Sequence, residues 1–238
     1  MYCLEPLVIR ELPITNPDNP FGKPSKPEDD STGMAIWPAS IILSRWILQL
    51  RRENPSVFKD KVVAELGAGC SLPSIVTAVY GDPSRVYITD IHPPALDNAI
   101  FNLLNNGFEA LPPPLIEDKA LSCAMKSFAS SSCRAHVMAV NWADQATYPD
   151  EQVDIVLGSD LIYDSAALEV FVAAVDGNLK SGGLKYHLLL LIIIRDKVGF
   201  CCTWLRMREE MGWKDLSPLL PQNQLSLTRS SHVPMSRL

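Results

Sequence analysis

The sequence predicts an α/β fold in which a mostly parallel sheet carries helices on both faces, and three observations support this prediction. Segments rich in β-branched and aromatic residues, such as 62–65 and 86–89, alternate with segments whose apolar residues recur at helical spacing. Segment 188–194 is apolar throughout, which is typical of a strand buried in a parallel sheet. Gly67 and Gly69 lie between the first strand segment and the helix that follows it. This order of strand, glycine turn and helix is typical of nucleotide-binding α/β units.

The chain divides into three parts by composition. Residues 1–30 contain six prolines, a density that excludes a long helix and predicts an extended arm, with Leu7–Ile9 as a candidate edge strand. Residues 31–228 are predicted to form the folded domain, and residues 229–238 a disordered tail. Within the domain, 108–134 combines three consecutive prolines with a serine cluster and has no periodicity. We therefore expect a surface insertion there, with at most one short helix.

Helices and strands of the domain are predicted from apolar periodicity, from prolines at helix starts and from glycines at helix ends. The predicted helices are 38–52, 72–80, 93–105, 166–179 and 199–211. The predicted strands are 62–64, 86–89, 136–140, 153–158 and 186–194, with two weaker candidates at 213–216 and 225–227. In a parallel sheet built from such alternating elements, the ligand is expected beyond the carboxyl ends of the strands.

Acidic residues stand where three of the predicted strands end. Glu65, Asp90 and Asp160 should therefore meet at one edge of the sheet and form one site. Gly67 and Gly69 allow the backbone to turn sharply and approach a ligand, and the free N–H groups at the start of the next helix are expected to face that ligand. Asp90 lies 21 residues after Gly69, at a strand tip where a carboxylate can accept both hydroxyls of a ribose.

The class of cofactor depends on a glycine that is missing. A dinucleotide-binding fingerprint has a third glycine three residues after the second, where this chain has Leu72. This weakens a nicotinamide oxidoreductase as an alternative, and no residue suited to hydride transfer is evident. The pattern from Glu65 to Gly69, followed by Asp90, resembles the S-adenosylmethionine site of class I methyltransferases. A similar turn in another Rossmann-like protein remains the plain structural alternative.

Four motifs occur in order and are together more selective than the glycine turn alone. They are G-x-x-x-W-P-A-S (Gly33–Ser40), E-L-G-A-G-x-S-L-P (Glu65–Pro73), N-W (Asn141–Trp142) and G-S-D-L-I-Y-D (Gly158–Asp164). From Gly33 to Gly212 the chain resembles the methyltransferase-like proteins of family 16, which are seven-strand, S-adenosylmethionine-dependent enzymes that mostly modify protein lysines. The resemblance implies a seven-stranded Rossmann-like sheet, S-adenosylmethionine as cofactor and a protein lysine as methyl acceptor.

The resemblance also implies roles for individual residues. Cofactor contacts are implied for Trp37, Glu65, Gly67, Ala68, Gly69, Asp90, Trp142 and Ser159, with Asp90 on the ribose and Trp142 beside the adenine. Asp160 and Tyr163 of the D-x-x-Y motif are the catalytic candidates, one orienting the acceptor amine and the other forming an aromatic wall over the methylammonium. Core packing is the alternative for Trp142 and Tyr163, and capping of a helix is the alternative for Asp160. Trp46 lies on the apolar face of the first helix and is predicted to be core.

Three departures from the family affect the expected acceptor or fold. Ser71 stands where the family often has glycine, which resembles the branch called methyltransferase-like protein 23, linked to histone arginine. Segment 108–134 is unusually long, and the C-terminal hairpin is short, which puts the seventh strand in doubt. An arginine enzyme is expected to hold guanidinium with paired carboxylates, but Asp160 and Asp164 stand four residues apart on a predicted loop. Lysine is therefore the first expectation and arginine the second, while a noncatalytic binding protein of the same fold stays open.

Composition limits the partners. A net charge of −6 and a pI of about 5.2 disfavour nonspecific binding of nucleic acid and suit a basic protein substrate. The six cysteines form no C-x-x-C pair, and the four histidines show no metal-ligand spacing, so we expect free thiols and no metal. The longest apolar run, Leu188–Ile194, is too short to span a bilayer. These features predict a cytoplasmic protein, with the nucleus as a second compartment and the oligomeric state unassigned.

Overall fold

The computed structural model describes residues 5–13, 32–112, 125–161, 166–178, 186–194 and 200–205. Its α-helices are α1 (Pro38–Glu53), α2 (Leu72–Tyr80), α3 (Pro93–Asn105) and α4 (Ala166–Asn178). Its strands are β1 (Val62–Glu65), β2 (Arg85–Asp90), β3 (Glu109–Ala110), β4 (Lys126–Ala129), β5 (Arg134–Ala139), β6 (Ile155–Ser159), β7 (Tyr186–Ile194) and β8 (Phe200–Leu205). Short 3-10 turns lie at Thr32–Met34 and Gln145–Thr147.

These strands form one sheet in the order β3-β4-β5-β2-β1-β6-β7-β8 within the described residues. The central strands β5, β2, β1, β6 and β7 are parallel to one another, whereas β3, β4 and β8 run antiparallel to their neighbours. Val63 of β1 lies opposite Val86 of β2 on one side and Ile155 of β6 on the other. Strand order therefore reverses at β1, and a parallel sheet binds its ligand at such a switch point, beyond the strand carboxyl ends.

Alternation along the central strands gives the sheet two apolar cores, because successive side chains point to opposite faces. Val63, Val86 and Ile155 lie in the core that α1, α2 and α3 cover. Ala64 and Val156 lie in a smaller core on the other face, to which α4 also contributes. The predicted α/β fold, with a mostly parallel sheet and helices on both faces, is confirmed.

The carboxyl-terminal end of the sheet differs from the prediction. The described part contains eight strands rather than seven, and the helix predicted over 199–211 is wrong because Phe200–Leu205 forms β8 against β7. The segment Phe-Cys-Cys-Thr-Trp-Leu carries aromatic and β-branched residues, and pairing it with β7 covers an apolar edge that would otherwise be open. The weaker strand candidates at 213–216 and 225–227, and the tail 229–238, lie outside the described residues.

The predicted insertion at 108–134 is partly strand. Glu109–Ala110 forms β3 and Lys126–Ala129 forms β4, which pairs with β5, while residues 113–124 lie outside the described part. Phe128 of β4 is 3% exposed and packs in the core that the first three helices cover. A surface loop was therefore the wrong interpretation of this part, because a four-residue strand is too short to show a clear period of two.

Residues 5–13 form an arm without regular secondary structure, so the edge strand expected at Leu7–Ile9 is not present. Leu7 and Ile9 nevertheless pack against the larger core. The arm is fixed along α3 by side-chain hydrogen bonds rather than by a strand partner. Residues 1–4 and 14–30 of the predicted arm lie outside the described residues.

Candidate functional site

The ends of β1, β2 and β6 lie side by side at the carboxyl edge of the sheet. Glu65 ends β1 and lies opposite Ile88 of β2 and Leu157 of β6. The backbone continues in register beyond the strand, since the N–H of Leu66 donates to the carbonyl of Leu157 at 3.0 Å. The acidic residues that the sequence placed at strand ends are therefore brought to one edge.

The loop between β1 and α2, residues 66–71, is called the glycine loop below and requires its two glycines. Gly67 and Gly69 have φ angles of +60° and +50°, in the left-handed region that favours glycine. A β-carbon on Gly67 would lie 2.5 Å from Cδ2 of Leu161, and one on Gly69 would lie 3.0 Å from the carbonyl oxygen of Gly33. Ala68 between them is 8% exposed and donates its N–H to the carbonyl of Thr89 at 2.9 Å. The loop is thus pressed between β2, the segment at Gly33 and the end of β6.

Asp90 is held in one orientation at the tip of β2. Its Oδ2 accepts from the N–H of Gly69 at 2.9 Å, and its Oδ1 accepts from the N–H of His92 at 2.9 Å. Burial raises the pKa of this carboxyl, while these two N–H groups act in the opposite direction. A carboxylate has about four acceptor positions in all, so it can accept hydroxyl donors in addition to these N–H groups.

Glu65 is buried and binds the start of α2. It is 1% exposed, and its Oε2 accepts from the N–H of Ser74 in the first turn of α2 at 2.9 Å. That N–H is therefore not free to face a ligand, and Pro73 before it has none. Glu65 thus connects the end of β1 to the first turn of α2, and its contact with a cofactor stays a prediction.

The buried position of Glu65 predicts a pH dependence of stability. Burial raises the pKa of its carboxyl to about 8, from an ordinary value near 4.3, so folding takes up a proton between these values. Stability from this proton is complete below the ordinary pKa and is lost as the pH rises toward 8. Compared with Glu65→Gln, which keeps an acceptor for Ser74, the parent should lose about 2 kcal/mol of unfolding free energy between about pH 6 and pH 8. Urea unfolding at several pH values measures this, and a constant difference between the two proteins would contradict it.

The two tryptophans expected at the cofactor lie on different sides of the glycine loop. Trp142 is half-buried, its ring carbon Cζ2 would be 3.4 Å from a β-carbon on Gly67, and it meets Phe171 edge-on with 5.1 Å between ring centroids. Trp37 precedes α1 and donates from Nε1 to the carbonyl of Thr32 at 2.6 Å. Thr32 is next to Gly33, whose carbonyl oxygen would lie 3.0 Å from a β-carbon on Gly69.

Asp160 directly follows β6 and has a left-handed backbone with φ of +58°. Burial raises the pKa of its carboxyl to about 6, so most of it is ionised at neutral pH. Ser159 ends β6 and is half-buried. Tyr163, the other catalytic candidate, lies outside the described residues, so the D-x-x-Y pair stays a prediction.

Several residues of the site were not singled out from the sequence. Leu161 is 8% exposed and packs against Gly67, and Tyr148 donates its hydroxyl to the carbonyl of Trp142 at 2.6 Å. Cys70, which follows the second glycine, donates from Sγ to the carbonyl of Met34 at 3.1 Å. Leu161 could have been noticed because it stands directly after a strand-end acid, whereas Cys70 and Tyr148 act through contacts that no local pattern records.

Two further observations concern the described residues only. No group of three or more histidine, cysteine or acidic side chains in them is placed to hold a metal ion. None of the helices found in the same ranges has the length and apolar character needed to cross a membrane.

Comparison with known proteins shows what this chain is similar to. A family model described as lysine methyltransferase matches residues 24–109. The chain is 27% identical over 136 residues to the mouse protein-lysine N-methyltransferase EEF2KMT, covering 56% of this chain and 36% of that protein. It is 28% identical over 192 residues to methyltransferase-like protein 23 of Dictyostelium discoideum, covering 78% and 71%, respectively. It is 29% identical over 141 residues to the histone-arginine methyltransferase METTL23 of Xenopus laevis, covering 58% and 47%.

The chain spans little more than a third of the length of the mouse relative, and more than two thirds of the Dictyostelium one. The family-model match covers β1, the glycine loop, β2 and Asp90, whereas Trp142, Ser159 and Asp160 of the site lie beyond it. The chain is therefore similar over residues 24–109 to the lysine methyltransferase family model, and over longer stretches to methyltransferases at 27–29% identity.

Proposed function

We propose that this chain is an S-adenosylmethionine-dependent methyltransferase whose acceptor is a lysine side chain of a protein. The observation that carries the proposal is Asp90, held by backbone N–H groups at the tip of β2 beside the glycine loop. A carboxylate fixed there is suited to the two adjacent hydroxyls of a ribose. The names of the mouse relative and of the matched family model support lysine as the acceptor.

The residues present fit the cofactor. Gly67 and Gly69 let the loop turn in the left-handed conformation beside Asp90, and Leu72 in place of a third glycine suits a nucleoside without a pyrophosphate. Asp90 would hold the ribose, and Trp142, on the other side of Gly67, would flank the adenine. When bound, S-adenosylmethionine supplies an electrophilic methyl group on its sulfonium.

The protein has to position the acceptor amine and keep it unprotonated. A free lysine has a pKa of about 10.4, so its amine must lose a proton before it can act as a nucleophile. Asp160 stands at the end of β6, at the same sheet edge as the cofactor loop, and its partly buried carboxylate can attract the ammonium. After the ammonium has given a proton to water, the carboxylate can accept a hydrogen bond from a remaining N–H and so orient the lone pair of the amine. The excess of acidic residues supports a basic segment as the substrate.

Replacing Asp90 tests the proposed cofactor. We expect Asp90→Ala to weaken binding of S-adenosylhomocysteine, the demethylated product, by about 1.5–3 kcal/mol because charged hydrogen bonds to the ribose are lost. Isothermal titration calorimetry measures this, with Asp97→Ala as a control, since Asp97 lies on α3 and its side chain is exposed. Tighter binding of NAD than of S-adenosylmethionine by the parent would overturn the proposal.

An arginine acceptor is the second candidate, supported by the name of the Xenopus relative. Radiolabelled methyl transfer into fractionated cell extract, followed by mass spectrometry of the labelled band, separates the two. Methyl-lysine in the product is the expected result. Methylarginine would move the proposal to the second candidate, and labelling of no protein by a chain that binds the cofactor would favour a noncatalytic role.

A further inference from the structure

The amino-terminal arm, residues 5–13, is attached to a row of asparagines on α3. Asn98 and Asn102 lie four residues apart on one face of α3, and Asn106 follows at the same interval as the residue directly after the helix. Val8 and Arg10 of the arm contact this row at successive turns. The spacing matches because two residues of extended chain span about 6.6 Å and four residues of helix rise about 6 Å.

Asn106, the last asparagine of the row, binds the arm at Val8. Asn106 exchanges two hydrogen bonds with Val8: its Oδ1 accepts from the Val8 N–H at 3.0 Å, and its Nδ2 donates to the Val8 carbonyl at 2.7 Å. The same Nδ2 donates to the carbonyl of Asn102 within the helix. Asn106 therefore fixes the arm, and its side-chain hydrogen bonds go to Val8 and Asn102 rather than to the glycine loop.

The other two asparagines bind the arm and the glycine loop at the same time. Asn102 accepts from the Arg10 N–H at 2.8 Å and donates to the carbonyl of Cys70 at 3.1 Å. Asn98 accepts from Nε of Arg10 at 2.7 Å, donates to the Arg10 carbonyl at 3.0 Å and lies 3.7 Å from Sγ of Cys70. Both asparagine side chains are fully buried. Without the arm, each would lose its hydrogen bonds to Arg10.

The arm also holds the other flank of the loop. Glu11 accepts from the N–H of Ile36 at 2.8 Å, and the N–H of Leu12 donates to the carbonyl of Met34 at 2.9 Å. Met34 in turn accepts from Sγ of Cys70. Cys70 directly follows Gly69, whose N–H orients Asp90. The arm is thus connected on two sides to the residue next to the proposed ribose contact.

We infer that Arg10, Asn98 and Asn102 are positioning residues that hold the glycine loop through Cys70, so that attachment of the arm sets the affinity for the cofactor. The cofactor part of this inference rests on the proposed function, whereas the coupling between arm and loop does not. Loss of the Arg10 contacts should leave the fold in place and let the loop open more often. The ligand would then meet a loop that must first be reordered, which lowers its apparent affinity.

Two proline substitutions in the full chain test the inference as a matched pair. Arg10→Pro removes the N–H that binds Asn102, and Val8→Pro removes the N–H that binds Asn106. Both loosen the arm, but only Asn102 also contacts Cys70. We expect amide hydrogen exchange of residues 66–72 in the cofactor-free protein to be faster in Arg10→Pro than in Val8→Pro. Equal exchange rates in the two variants, or no change in either, would overturn the inference.

Binding of S-adenosylhomocysteine provides the second measurement. We expect Arg10→Pro to weaken it about fivefold or more, and Val8→Pro to change it by less than about twofold. If the parent binds no S-adenosylhomocysteine, the proposed function fails, while the exchange measurement still decides the coupling. If Arg10→Pro does not fold, Arg10→Ala, which loses the guanidinium bond to Asn98, is compared with Val8→Ala, which keeps both bonds to Asn106. Unchanged loop exchange in Arg10→Ala would then overturn the inference.

Discussion

Asp160→Asn should reduce methyl transfer by about 100-fold or more while leaving binding of S-adenosylhomocysteine within about twofold. The substitution keeps the shape of the side chain and removes the charge that would attract and orient a lysine. It also suits the backbone, because asparagine, like aspartate, tolerates the left-handed conformation that this position adopts. Transfer of radiolabelled methyl groups into extract proteins, under single-turnover conditions, measures the effect.

Asp60→Asn is a matched control for this experiment. Asp60 also has a left-handed backbone, with φ of +60°, but it is exposed and precedes β1, at the opposite edge of the sheet. We expect normal transfer in this variant and unfolding free energies within about 1 kcal/mol of the parent in both. Normal transfer in Asp160→Asn would remove Asp160 from the mechanism and favour a role in shaping the loop after β6.

The pH dependence of methyl transfer should also reflect the charge of Asp160. Burial raises the pKa of the Asp160 carboxyl to about 6, so the charged form is lost as the pH falls through that value. We expect the transfer rate of the parent to fall below about pH 6, after allowance for the falling fraction of neutral lysine. In Asp160→Asn this additional fall should be absent, because the residue cannot titrate. A profile of the same shape in both proteins would contradict the assignment.

The parts of the fold that could be predicted are those in which local chemistry and tertiary structure agree. Pro38 and Pro93 begin α1 and α3 as expected, and the glycine loop and Asp90 meet where strand order reverses. The error at β8 has a different origin. Its segment is apolar enough for a helix or a strand, and the choice is made by pairing with β7, which lies outside any local window.

The sequence identified several residues of the site, but it did not reveal which contacts those residues make. Glu65 follows a strand, as a ligand-binding acid would, but the N–H that it binds belongs to Ser74 of its own chain. Asn98 and Asn102 resemble solvent-facing positions of α3 in the sequence, since asparagine seldom lies in a core. They are buried because Arg10, some 90 residues earlier, supplies their partners. Contacts between such distant residues are not visible in hydrophobic periodicity.

Trp46→Ala should be the most destabilising of these substitutions, lowering the free energy of unfolding by about 3–5 kcal/mol. Trp46 is 4% exposed on the inner face of α1 and packs in the core that covers β1, β2 and β6. Removing its ring leaves a large cavity that neighbouring helices cannot fill. Urea unfolding of the cofactor-free protein measures the loss, and Trp46→Phe, which leaves a smaller cavity, should lose less.

Trp142→Ala is the matched comparison, because it truncates a tryptophan at the glycine loop instead of in the core. Trp142 is half-buried, and its carbonyl, which accepts from Tyr148, is kept in the variant. We expect a stability loss well below that of Trp46→Ala, about 1–2 kcal/mol, from the lost edge-on contact with Phe171 and some apolar area. Under conditions in which both variants are folded, Trp142→Ala should weaken the binding of S-adenosylhomocysteine more than Trp46→Ala does. If unfolding ranks the two variants in the opposite order, Trp142 belongs to the core and its place beside the adenine is wrong.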